Sequence, residues 1–281
     1  MSQSIHFTKM HGCGNNYIYV YLPDNPIPDL QKAAIEWSRP NFGIGSDGLI
    51  TIDRSDVADF KMRIFNNDGS EAMMCGNGVR CCGKFVRDHH LTEQKVVSFE
   101  TLSGIKTLEL YEDEKGEVTS ARVDMGEPIL NDVAQCATPD GSMRLGSVNG
   151  MHGTFVSMGN PHCVVFVDDI SSIHLETLGP TFEHHPLFPA RVNTEFAQIL
   201  PNGDIRMRVW ERGSGITLAC GTGACATSVA ATLTQGRGRT NRIIMDGGPL
   251  VIEWGNDNHI YMTGPAVRVF EGEIMTNQDT N

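Results

Sequence analysis

Through most of the chain apolar and polar residues alternate with period two, the pattern of strands that bury one face. It predicts an opening strand over 1–10 and further strands over 18–22, 48–52, 60–65, 96–100 and 106–111. A second series follows over 154–157, 163–167, 196–200, 204–210, 242–245, 250–254 and 259–263. Three segments, 30–38, 76–88 and 221–235, carry apolar residues at helical spacing, the last packed by alanines and β-branched residues. The predicted class is α+β, with each half a mostly antiparallel sheet or barrel around a central helix.

The pattern repeats. Asp59-Phe-Lys-Met-Arg-Ile-Phe65 returns as Asp204-Ile-Arg-Met-Arg-Val-Trp210, a shift of 145 residues. At the same shift Cys75-Gly-Asn-Gly78 falls on Cys220-Gly-Thr-Gly223, and Gly14-Asn15 falls on Gly159-Asn160. A weaker echo of 101–109 in 246–253 has slipped by one residue. Segments in one order at one offset indicate a duplication. The boundary is expected between Arg122 and Pro128, giving an N-terminal half over 1–122 and a C-terminal half over 123–281, whose last strand is able to return to the first half. Two such halves are expected to be related by a pseudo-two-fold axis, where equivalent positions meet and small molecules commonly bind.

Composition narrows the function. The net charge is −12 and no Lys/Arg block stands out, which argues against nucleic acid and anionic membrane as partners. The first residues lack the apolar core of a signal peptide, and the apolar runs are far shorter than the ~20 residues that span a bilayer. A cytoplasmic protein acting on a small molecule is expected. The eight cysteines show no C-x-x-C or zinc-ribbon spacing, so no metal site is expected from them. Any single cysteine is most simply a small buried apolar side chain.

Cys75 and Cys220 stand apart, because each sits where a loop enters a helix. Unpaired N–H groups and the positive dipole end bind anions there and favour a thiolate. A thiol near neutrality both accepts and donates a proton. Two of them at equivalent positions suggest an acid and a base on opposite faces of one carbon, the requirement for inverting a stereocentre. The glycines after each cysteine let backbone donors approach a substrate carboxylate. Asn15, Asn66, Asn160 and Asn193 lie in turns beside strands, Glu211 and Arg212 end a strand before Cys220, and His162 shares a turn with Asn160. Turn asparagines and a paired surface charge are the bland alternatives.

These residues resemble the diaminopimelate epimerase family over essentially the whole chain. The resemblance rests on Met10-His-Gly-x-Gly-Asn15, Gly43-Ile-Gly-Ser-Asp47, Phe65-Asn-x-Asp-Gly-Ser-Glu71, Met74-Cys-Gly-Asn-Gly78, Gly159-Asn-Pro-His-Cys163, Arg191-Val-Asn193 and Glu211-Arg-Gly213 leading into Ala219-Cys-Gly-Thr-Gly-Ala-Cys225. It implies the fold of that family and interconversion of LL- and meso-2,6-diaminopimelate, with no cofactor and no metal. It implies that Cys75 and Cys220 transfer the protons. Asn15, Asn66, Asn160, Asn193, Glu211 and Arg212 would bind substrate, the backbone of Gly76, Asn77, Gly221 and Thr222 would hold the reacting carboxylate, and His162 would support the site. A homodimer accompanies that reading, although the residues themselves leave assembly open. Two departures are Asn16, where many members carry Asp, and Gly48, where some carry a substrate-touching Gln.

The nearest rival is a proline or hydroxyproline racemase of the same fold. Members of that family typically have His after the first Cys-Gly, where this chain has Asn77, and need no group such as Arg212 for a second carboxylate. A binding protein with a redox-sensing cysteine pair is the rival from another class.

Overall fold

In a computed structural model, residues 3–276 are described. The chain forms two compact units. One holds the chain up to Val123 together with the described residues from Gly264 onward, and the other is Asp124–Thr263. The opening strand runs Gln3–Gly12; Met1 and Ser2, assigned to it from sequence, lie outside the described residues.

In the first unit Asn15–Tyr21 pairs antiparallel with Gln3–Gly12 and parallel with Gly48–Asp53. Gly48–Asp53 pairs antiparallel with Phe60–Asn66, which runs parallel to Val96–Thr101, and hairpins continue through Gly104–Glu112 to Val118–Asp124. The closing strand Val267–Thr276 pairs with Gln3–Gly12, which is how the C-terminal end joins the first unit. Helix α1 is Leu30–Ser38, capped by Asp29, and α2 is Gly76–Asp88.

The second unit repeats this order. Pro161–Phe166 runs parallel to Asn193–Ile199, which pairs antiparallel with Ile205–Glu211. Ile18↔Leu49 and Cys163↔Thr194 are the same pairing displaced by 145. Farther along, Phe60↔Phe99 corresponds to Ile205↔Ile243, one residue short, which accounts for the slipped echo in the sequence. Helix α3 is Leu175–Glu183 and α4 is Gly221–Thr234.

Helices α2 and α4 are the axes of their units. Almost every residue of α4 from Gly221 to Ala231 is buried, as expected for a helix of small residues enclosed by strands on all sides. Helix α2 is buried from Gly76 to Val86 even though it carries Arg80 and Lys84. Arg80 is 0 % exposed because its guanidinium donates to the carbonyls of Gly76 and Pro265 and to Asn77 Oδ1. No helix among the described residues is long and apolar enough to cross a membrane.

Helix α3 was not foreseen. It contains Gly179 and Pro180 and begins at His174 with no side-chain cap, so propensity and capping both speak against it. Its existence rests on packing: Leu175 and Phe182 enter a cluster with Phe155, Phe188 and Phe196.

Candidate active site

The two cysteines occupy one structural position. Cys75 and Cys220 are the N-caps of α2 and α4, with extended backbone, and each sulfur accepts the N–H of the third helical residue, Gly78 or Gly223, at 3.3 Å. Helix geometry leaves the N–H groups of Gly76, Asn77, Gly221 and Thr222 without intrahelical acceptors. Each unit therefore presents a thiol beside two backbone donors. Cys75 is half-buried, whereas Cys220 is buried.

In the first unit the Cys75 thiol donates to Oδ1 of Asn15 at 3.1 Å, and Asn15 Nδ2 donates to Asp47 Oδ2 at 3.0 Å. Asp47 also receives the backbone and side-chain N–H groups of Asn16. An Asp at 16 would face that carboxylate with like charge; the asparagine donates to it instead. Asp47 was quoted in the family pattern without a role, and its role in the structure is to fix Asn15 against the thiol. Asn66 donates to Ser70 Oγ at 3.0 Å. The side chain of Asn77 is buried and turned inward to Arg80, so only its backbone is left for a ligand. At Gly48 a Cβ would lie 2.1 Å from the Phe65 carbonyl oxygen, so this backbone accepts no side chain there.

The second unit is more polar. Asn160 Nδ2 donates to Thr222 Oγ1 at 3.3 Å, and Thr222 Oγ1 lies 3.5 Å from Cys220 Sγ. His162 is 0 % exposed, with Nε2 at 3.2 Å from Asn160 Oδ1 and Nδ1 at 2.7 Å from Glu195 Oε1. Asn193 spends its amide on the protein: Nδ2 donates to the Pro161 carbonyl at 2.9 Å and Oδ1 accepts the Arg212 N–H at 2.9 Å. The Arg212 guanidinium donates to the Ala190 carbonyl, and no carboxylate of the described residues pairs with it. Glu211 accepts from Thr217 Oγ1, and its carboxylate adds to the upward push on the Cys220 thiol.

One expectation is overturned. A helix-start cysteine was expected to titrate near neutrality, yet the Cys220 thiol is pushed well above its ordinary range. Burial is the main cause, the carboxylates of Glu211 and Glu195 add to it, and the bonds from Thr222 and Gly223 only partly offset it. Glu211 is itself raised by burial. Burial and both carboxylates thus favour the protonated form of Cys220. Cys81, Cys82 and Cys163 are raised by burial as well, Cys81 to about 11, and act as core. Among the described residues no three His, Cys, Asp or Glu side chains are grouped to hold a metal ion.

Glu195 escaped the sequence reading. The signal was one charged residue inside an otherwise fully buried stretch, Asn193 to Ala197.

The family model for diaminopimelate epimerase matches residues 7–131 and 154–269. The chain is similar to the diaminopimelate epimerase of Phocaeicola vulgatus, 56 % identical over 279 residues that cover 98 % of this chain and 99 % of the relative. The diaminopimelate epimerase of Bacteroides thetaiotaomicron is 56 % identical over 275 residues, with the same coverage of 98 % and 99 %. Among solved structures, a phenazine biosynthesis protein of the PhzF family from Bacillus anthracis superposes with a TM-score of 0.72 at 17 % identity, covering 98 % of this chain and all of that one, a likeness of fold alone. With a family match in both halves and relatives more than half identical from end to end, the chain belongs to the diaminopimelate epimerase family.

Proposed function

We propose that the chain interconverts LL- and meso-2,6-diaminopimelate through Cys75 and Cys220. One sulfur, as thiolate, removes the α-proton and becomes a thiol; the other, as thiol, gives its proton to the opposite face and is left as thiolate. The product state is then poised for the reverse reaction. The N–H groups at the starts of α2 and α4 receive the α-carboxylate and the charge that builds up on it as the proton leaves. Arg212 binds the carboxylate at the far end of the substrate, with Asn15, Asn66, Asn160, Asn193 and Glu211 fixing its polar groups, directly or through their neighbours. His162 supports Asn160.

The observation that carries this reading is the repeated cap: one thiol, one cap bond and one asparagine at equivalent places in each unit. Membership of the diaminopimelate epimerase family supports the substrate. The test is incubation in D₂O with LL-diaminopimelate and, separately, with L-proline. Deuterium at an α-carbon together with formation of the meso isomer is expected only with the first. Exchange confined to proline would mean a racemase, and exchange in neither would return the cysteines to a structural or redox role.

A further inference from the structure

The equivalent positions that surround the two thiols differ in one respect. Displaced by 145, Glu195 falls on Ile50, His162 on Tyr17 and Gly223 on Gly78. A Cβ at Gly78 would meet Ile50 Cδ1 at 2.7 Å and Met62 Cε at 3.3 Å, so the thiol of the first unit has hydrocarbon behind it. A Cβ at Gly223 would meet Glu195 Oε1 at 2.5 Å and Cys220 Sγ at 3.2 Å, so a carboxylate and the sulfur flank one glycine. Glu195 is 0 % exposed, and its Oε2 has no hydrogen-bond partner among the described residues. A buried carboxylate so weakly compensated costs stability that an apolar residue would not, as Ile50 illustrates.

The geometry points to Glu195 as a positioning residue for proton transfer at Cys220, holding a hydrogen-bonded chain that runs through His162, Asn160 and Thr222 to the sulfur. The links are 2.7, 3.2, 3.3 and 3.5 Å; with Asn160 Oδ1 toward the ring the chain is continuous when Nε2 carries a proton, and with the amide turned round Nδ2 donates to a bare Nε2 while Oδ1 accepts from the Thr222 hydroxyl. Glu195 fixes a proton on His162 Nδ1, which orients the ring and sets what Nε2 presents to Asn160. The ionisable groups around the sulfur are Glu211 from strand Ile205–Glu211, Glu195 from Asn193–Ile199 and His162 from Pro161–Phe166. Around the Glu195 carboxylate they are His162, Cys163, Cys220 and Glu211. Both carboxylates oppose ionisation of the thiol, so Glu195 keeps a proton on Cys220 as well as ordering the route to it.

This inference rests on the two-thiol reading above, and its test is independent of turnover. Alkylation by iodoacetamide across pH, followed by peptide mass spectrometry, titrates Cys75 and Cys220 separately in the full chain. In Glu195→Gln the Cys220 profile is expected to move to lower pH by about one pH unit, the scale of one nearby charge, with Cys75 unmoved. The same variant should lose kcat with little change in KM, and Glu195→Asp should restore part of both. A Cys220 profile that stays in place in folded Glu195→Gln overturns the proposal, as does an equal shift at Cys75. Should the variants fail to fold, imidazole ¹⁵N shifts of the wild-type chain decide. A His162 ring protonated at Nδ1 across neutral pH supports the proposal, and one protonated only at Nε2 overturns it. A chain that turns over no diaminopimelate sinks the proposed function, whereas an unmoved Cys220 titration sinks this inference alone.

Discussion

The thiol of Cys75 donates to Oδ1 of Asn15 across 3.1 Å, and the far side of the same amide is held by Asp47. Asn15 thus bridges a reactive group and a fixed carboxylate, and its orientation is set from behind. Asn15→Ala is expected to lower kcat while the fold stays intact, because Asn16 still satisfies Asp47. Asn15→Asp should be worse, since it opposes a second carboxylate to Asp47 and to the developing thiolate. Steady-state kinetics of the two variants, with circular dichroism as the control, checks the order.

Cys75→Ala and Cys220→Ala should each abolish epimerisation. Each thiol serves one face of the α-carbon, so neither replaces the other. The cost to the fold should be small, about 1 kcal/mol for a lost cap bond. Near-normal isomer interconversion in either variant would remove the two-thiol mechanism.

Arg212→Ala should act through binding. Its guanidinium is anchored only to the Ala190 carbonyl and pairs with no carboxylate of the described residues, so a substrate carboxylate is its natural partner. Truncation should cost about 2–5 kcal/mol in kcat/KM, the range for one side of a buried charge pair. Most of this should appear in KM. Unchanged kinetics with diaminopimelate would make Arg212 a surface charge.

Much of this was legible from sequence because duplication writes the same constraint twice. Strand 60–66, helix α2 and their counterparts 205–211 and α4 share one offset, and two independent copies of a periodic pattern reinforce each other. The capping cysteines were visible for the same reason. What stayed hidden has no repeat partner. Helix α3 exists against its own propensity because Leu175 and Phe182 are pulled into a core. Glu195 replaces Ile50, so comparison of the halves erases rather than flags it, whereas His162, in place of Tyr17, was legible only from the turn it shares with Asn160. The direction of the Cys220 titration was misjudged for a related reason: the helix start is common to both halves, while what outweighs it, burial first and then the carboxylates of Glu211 and Glu195, is not written in the repeat.

Glu211 should set activity against stability. Burial raises its carboxyl above the ordinary 4.5, and Thr217, His162 and Cys220 only partly counter this. A folded value above the unfolded one means that the fold prefers the protonated acid. Its contribution is fully present below about pH 4.5 and is lost as pH rises through the folded value. Glu211→Gln, neutral at every pH, should therefore melt higher than wild type at neutral pH, and the difference should vanish in acid. Its activity should fall. Melting curves at several pH values check the sign, and a variant that melts lower than wild type at neutral pH would refute it.

The two second glycines should respond unequally to a methyl group. In Gly78→Ala the new carbon meets the tip of Ile50 at 2.7 Å and of Met62 at 3.3 Å, and both tips swing aside by rotamer changes. In Gly223→Ala it meets Glu195 Oε1 at 2.5 Å, and that oxygen is fixed by its 2.7 Å bond to His162. The carboxylate moves only by breaking its buried hydrogen bond to His162, and the new carbon also lies 3.2 Å from Cys220 Sγ. Overpacking of about 1–3 kcal/mol is expected at Gly223 and less at Gly78. Both positions lie in the first turn of a buried helix and donate the same N–H to a cysteine cap, so capping and propensity cancel in the comparison. Thermal melts of the two variants read the difference directly. Equal destabilisation would mean that the Glu195 carboxylate is as yielding as a hydrocarbon tip, and the fixed contact between Glu195 and the start of α4 would then be wrong.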